Sequence, residues 1–166
     1  SIENSQACYI PLNHKGLKNQ VDLNVFIEKI KIILEDNSIL KIGQNIKYDF
    51  IILKGLGVNI NNMDDTMLMS YVLRTGQRGH GLDELSSDFL FHETIKYSDV
   101  TVVEKKKILF SEVSADKAKN YAAEDADITY RLFKKFFNNL KEEKLTNIYE
   151  IFEKPLIKIL SLMEIE

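Results

Sequence analysis

The chain has 166 residues, 45% of them hydrophobic, and its 22 basic and 25 acidic side chains leave a formal net charge of −3. That length and apolar content suit one domain with a real core, and the charge balance excludes a domain that grips nucleic acid by charge alone. The single cysteine, Cys8, excludes an internal disulfide framework and a cysteine-based metal centre and fits a reducing, cytoplasmic setting; no apolar run reaches bilayer length and no signal-peptide pattern opens the sequence.

In chain order, residues 7–12 read as a short strand ending at Pro11, since proline fits poorly in a central ladder. His14, Lys15 and Gly16 make a loop. Asp22 is placed to cap a helix that carries Val25, Phe26, Ile30, Ile33 and Leu34 on one side and ends near Asp36. Residues 39–43 form a short strand running on into Gln44 and Asn45, followed by a helix over 46–54 that stops at Gly55 and Gly57. A brief strand is expected at 58–60, and Asp64 or Asp65 caps the next helix, through Leu73. A loop with Gly76, Gly79 and Gly81 leads into a helix over Leu82–Leu90, and residues 93–110 read as irregular around the run Lys105, Lys106, Lys107. Ser114 then caps a long helix reaching Glu142. A last amphipathic helix begins near Asn147 and carries Pro155, which predicts a kink. Strand and helix alternate early and helices dominate later, the pattern of a sheet with helices packed on it, though with fewer strands than a sheet usually has.

Two groups could carry chemistry. Tyr121 and Asp125 stand four apart in the long helix and share one face. A carboxylate there can hold a hard divalent cation through oxygen, and the phenol can orient a water. The same spacing occurs by chance in many helices. Glu124 and Asp127 project elsewhere and read as solvated or capping neighbours. Asp49 follows the 39–43 strand by one helical turn, near the strand edge where open α/β sheets build sites; it reads equally well as a first-turn acid favoured by the helix dipole.

The words KIGQNIKYD, DDTMLMSYVL, GLDELSSDFL followed by HETI, and YAAEDADITYRL occur in this order. The set resembles the 3′–5′ exonuclease domain of family A DNA polymerases, from about Ala7 to Glu166. The resemblance implies an α/β, ribonuclease H-like fold, a mixed sheet flanked by helices. Residues 1–146 would be the exonuclease domain, and 147–166 the start of a helical connector to a polymerase domain of the same chain. It further implies two divalent ions, Mg²⁺ or Mn²⁺: Asp125 as direct ligand of the first, Asp49 helping to hold the second, and Tyr121 orienting the attacking water. Gln44 and Asn45 would lie beside the bound 3′ end of single-stranded or frayed DNA, and Tyr97 would pack on the terminal base, unless it is simply a half-exposed loop aromatic. No membrane is involved.

Other matches imply less. Asp65 has a family counterpart, but an N-cap accounts for it. His80 and His92 read as structural or loop residues. Lys105–Lys107 read more readily as solvated than as a phosphate contact. Arg78 stands one place from the family's basic position, held here by Gly79. The family's Asp-x-Glu pair on a first strand has no match, Glu3 standing alone. The sequence therefore reads as incomplete at its N-terminus, and this chain by itself is expected to be nearly inactive. A ribonuclease D-like exonuclease and a non-catalytic, structural exonuclease-like domain are the alternative readings.

Overall fold

The computed structural model describes residues 1–165. Its elements are α1 (Leu23–Leu34), β1 (Lys41–Gly43), α2 (Ile46–Gly55), β2 (Met63–Asp65), α3 (Thr66–Leu73), α4 (Leu82–Leu90), α5 (Tyr97–Thr101), β3 (Val102–Val103), β4 (Lys106–Lys107), α6 (Ala115–Glu142), α7 (Thr146–Ile148) and α8 (Lys154–Ile165). β1 and β2 pair in parallel with Lys41 opposite Met63 and Gly43 opposite Asp65. β3 and β4 form a separate antiparallel hairpin. Among the described residues no helix is long and apolar enough to cross a membrane.

The long helix α6 organises the core. Its Ile128, Leu132, Phe136 and Leu140, at helical spacing, pack on Met69 and Val72 of α3, Leu85 of α4 and Tyr149. Each fully buried side chain of this kind contributes about 1.5–3 kcal/mol. A second cluster joins Ile46 and Phe50 of α2 to Ile60, Met63 and Ile157 of α8, so the last helix closes over α2. A third joins Val100, Val113 and Ala118, with Tyr9, Ile95, Ile108, Phe110 and Tyr121 packed against it. α6 also lies against β1, which brings the long helix next to the strand that feeds α2.

Several local expectations change. Residues 7–12 form no strand: a strand needs a ladder partner, and among the described residues this segment has none. It lies across the third cluster instead, with the Tyr9 hydroxyl 3.2 Å from His14 Nδ1. Residues 58–60 form no strand either, because their neighbourhood bonds to the end of α1. Asn59 N–H donates to the Glu35 carboxylate at 3.0 Å and Asn61 N–H to the Leu34 carbonyl at 2.9 Å. The strand forms three residues later, at Met63. Residues 93–110 are not irregular throughout. They hold α5 and the hairpin, whose two-residue turn places Glu104 and Lys105 at φ 49° and 66°.

Asp22 caps α1 by accepting from Asn24 and Val25 N–H, yet none of the helix's residues is buried; its apolar side covers the surface only partly. Ser114 precedes α6 without a side-chain cap bond. The last helical segment contains a wide π turn over Tyr149–Glu153, ending two residues before Pro155, whose missing N–H leaves a carbonyl of that turn without its usual donor.

Candidate active site

β2 ends in two acids whose roles differ from simple capping. The Asp65 side chain is 1% exposed. Its carboxylate accepts from Met67 N–H at 2.8 Å, capping α3, and also from Asn45 N–H at 3.0 Å and Ile46 N–H at 2.9 Å. One carboxylate therefore starts two helices, α2 and α3. Burial raises its carboxyl above the usual range, and the N–H groups of Asn45, Met67, Ile46 and Leu68 pull it back. The capping reading of Asp65 is thus incomplete. It holds the turn that delivers Asn45 and, one helical turn on, Asp49.

That turn is tight. Asn45 sits in the left-handed region at φ 57°, ψ 47°, a conformation asparagine tolerates better than most residues. Gly43 lies directly under Ile46, where an added Cβ would stand 2.7 Å from the Ile46 Cβ. The Gln44 carboxamide is clamped at both ends: its Oε1 lies 2.6 Å from the Thr66 hydroxyl, which donates, and its Nε2 donates to the His80 carbonyl at 2.8 Å. Asn45 is exposed, and so is Asp49. Desolvation by neighbouring atoms and then the Asp65 charge push the Asp49 carboxyl upward, and the open surface of Asp49 screens both effects.

Tyr121 and Asp125 lie together on α6, as their spacing implies. Burial raises the Tyr121 phenol, and the Asp125 charge raises it further. Burial lifts the Asp125 carboxyl to about 6; hydrogen bonding from Tyr121 pulls it down, while Asp83 and Glu124 push it up. Among the described residues no lysine or arginine forms an ion pair with Asp125. The place is one of negative charge and hard oxygen donors without a counter-charge, which is the donor chemistry of a Mg²⁺ or Mn²⁺ site. Asp125 supplies one donor of the kind such an ion takes, and not a complete ligand set.

An aromatic group roofs this pair. The Tyr97 ring stands edge-on to Tyr121, with centroids 5.9 Å apart, and stacks on Phe110 at 6.0 Å; Phe110 also meets Tyr121 edge-on at 5.7 Å. Tyr97 remains 46% exposed, so part of its surface is open to a ligand. The loop before Tyr97 is fixed by Glu124, which accepts from Ile95 N–H at 2.7 Å and contacts His92 Nε2 at 2.9 Å. Glu124 is therefore an anchor of the site and not a solvated neighbour. Asp127 likewise accepts from Ser5 N–H at 2.5 Å and approaches Arg131.

Asp49 and Asp125 occupy separate electrostatic neighbourhoods, the first beside Asp65 and the second beside Asp83 and Glu124. Among the described residues no group of three or more His, Cys, Asp or Glu side chains could hold a metal ion. His80 is held structurally, by Ser70 at 2.8 Å and by the Tyr71 ring at 4.0 Å between centroids. Arg78 lines a cleft of about 430 Å³ with Tyr71, Arg74 and Glu84, which none of Asp49, Tyr121 and Asp125 reaches. Lys105–Lys107 lie exposed on and beside the hairpin turn. Sequence reading missed Asp83, Phe110 and the positioning roles of Asp65 and Glu124. An acid in the first turn of α4, within GLDEL, was the available signal for Asp83; Phe110 had none, because only the fold returns it to Tyr97.

Comparison with known proteins identifies the family and the fold. The family described as 3′–5′ exonuclease matches residues 1–141. DNA polymerase I of Rhizobium leguminosarum is 43% identical over 169 residues, covering 96% of this chain and 17% of that protein. The chain spans less than a fifth of the length of the curated polymerases it matches. Among solved structures, Brucella melitensis NrnC has a TM-score of 0.64 at 27% identity when bound to pGG, and 0.63 at 27% with bound Mg²⁺; each comparison covers 90% of this chain and 68% of NrnC. A Mycobacterium smegmatis Pol1 structure described as its POL domain with DNA primer-template and dNTP shares the fold at TM-score 0.69 and 20% identity, over 88% of this chain and 22% of that one.

Proposed function

The chain belongs to the 3′–5′ exonuclease family, and on that premise we propose that it is the proofreading domain of a DNA polymerase I, removing the 3′-terminal nucleotide of single-stranded or frayed DNA. The observation that carries this is the Tyr121–Asp125 pair on one face of α6, set in uncompensated negative charge beneath Tyr97. Water oxygen attacks the terminal phosphorus, the bond to the penultimate 3′ oxygen breaks, and a deoxynucleoside 5′-monophosphate leaves a shorter strand with a 3′-hydroxyl. Members of this family depend on divalent metal, and a bound ion would neutralise charge on the phosphate and activate the water. We propose two such ions, with Asp125 a ligand of one and Asp49 helping to hold the other.

The remaining roles fall to this chain's own groups. Tyr121 orients the water by hydrogen bonding. Asn45, projecting from its left-handed turn, contacts the bound strand's end. Gln44, fastened between Thr66 and His80, serves that contact by holding the turn. Tyr97 packs on the terminal base, which tolerates any sequence. Residues 147–166 lead toward the polymerase domain, the natural partner in the same polypeptide, in the cytoplasm.

The test is digestion of a 5′-labelled DNA single strand by the polypeptide that the whole gene encodes. A metal-dependent ladder shortening from the 3′ end is expected. Degradation from the 5′ end, or none with either Mg²⁺ or Mn²⁺, would defeat the proposal. The 166-residue chain alone is expected to trim little, because among its described residues no three His, Cys, Asp or Glu side chains gather to hold a metal ion. Brisk trimming by it would show that Asp49 and Asp125 suffice. Tyr97→Ala is expected to raise KM about tenfold with kcat nearly unchanged, from loss of about 1–3 kcal/mol of base stacking; an unaltered KM would remove Tyr97 from the substrate. The likeness to pGG-bound NrnC supports a second, ribonuclease D-like reading. Parallel assays on RNA and DNA single strands separate the two.

A further inference from the structure

The final helical segment lies beyond residue 141, where the family match ends, yet it reaches the frame of the site. Tyr149, 1% exposed, donates its hydroxyl to Asp64 Oδ1 at 3.0 Å and accepts from Asp65 N–H at 3.0 Å. Lys154 Nζ stands 2.9 Å from the same Asp64 oxygen and 3.1 Å from Glu150. Asp65, whose backbone is thereby fixed, holds Asn45 and Ile46 N–H through its side chain. The same segment grips α2 directly, through Ile157 in the core with Ile46 and Phe50 and through the exposed ion pair Lys47–Glu164.

We propose that Tyr149, supported by Lys154, is a positioning residue for the nuclease: it sets the backbone of Asp64–Asp65, and through the Asp65 carboxylate sets the turn that presents Asn45 and Asp49. The segment after α6 is then part of the exonuclease apparatus as well as a route out of it. This inference rests on the roles proposed above for Asn45 and Asp49. Its chemistry is specific. Tyr149 supplies both a donor to a buried carboxylate and an acceptor to a buried N–H, and no apolar side chain of the same shape supplies either.

Amide hydrogen exchange on the metal-free 166-residue chain provides a test independent of activity. In Tyr149→Phe the Asn45 and Ile46 amides are expected to exchange roughly tenfold or more faster relative to amides of the α6 core. Val100→Ala, which thins the third cluster, apart from Tyr149 and from Ile128–Leu140 of α6, is expected to leave that ratio unchanged. If Tyr149→Phe fails to fold, Lys154→Met is read the same way, with a smaller effect. In the whole-gene polypeptide, Tyr149→Phe is further expected to raise the Mg²⁺ concentration needed for half-maximal hydrolysis several-fold at a temperature where it is fully folded. Equal exchange at Asn45 and Ile46 in parent and variants overturns the inference, as does a lowered Tm with an unmoved Mg²⁺ midpoint. A parent polypeptide without 3′–5′ hydrolysis would instead defeat the proposed function, and the exchange ratio would still report the coupling.

Discussion

Asp125→Asn is expected to give a more stable protein that no longer hydrolyses DNA. The Asp125 carboxyl is held at about 6 in the folded chain against an ordinary value of 3.8. The folded state therefore binds more protons than the unfolded state between those values, and stability falls as pH rises through that window, levelling off above about 6. Above it, the folded chain carries a poorly solvated charge beside Asp83 and Glu124 that the asparagine variant lacks. Because Asp125 is only partly buried, the gain is about 1–2 kcal/mol at pH 8 rather than the full conversion of the shift, and it vanishes below pH 4. Urea denaturation in the presence of a chelator at both pH values measures it. Hydrolysis by the whole-gene polypeptide should fall on the order of 10³-fold, since on the proposed function a neutral amide replaces a charged ligand of the metal. An Asn variant less stable than the parent at pH 8 would refute the uncompensated-charge account of this site, and an active one would remove Asp125 from the chemistry.

Asp65→Ala should have the largest effect on folding. Its carboxylate satisfies N–H groups of Asn45, Ile46 and Met67, and at 1% exposure water cannot replace it. Leaving these donors buried and unpaired costs about 1–3 kcal/mol for the worst placed and less for those that relax, together about 3–5 kcal/mol. Asp65→Asn keeps one acceptor oxygen and is expected to cost about half as much. Both are read from denaturation midpoints at constant m-value. An alanine variant within about 1 kcal/mol of the parent would show that the two helix starts hold without this carboxylate.

The amino-acid sequence by itself determined most of the helices, though not α5, which lies in residues that read as irregular. Leu82–Leu90 and the start of α6 after Ser114 follow from local signals and helical periodicity. So did the pairing of Tyr121 with Asp125, because four residues along a helix always meet on one face. The order of its motifs also pointed to the exonuclease family. Tertiary structure decided what depends on distant partners. Residues 7–12 and 58–60 have strand-like sequences, but a strand exists only where another backbone completes its hydrogen bonds, and here those bonds go elsewhere or find no ladder. Asp65 looked like a single cap because its second pair of donors, Asn45 and Ile46, lies twenty residues upstream. Phe110 joins Tyr97 and Tyr121 only because the hairpin folds back between them. Local spacing is written in the chain; which charges and rings face one another across elements is settled only by packing.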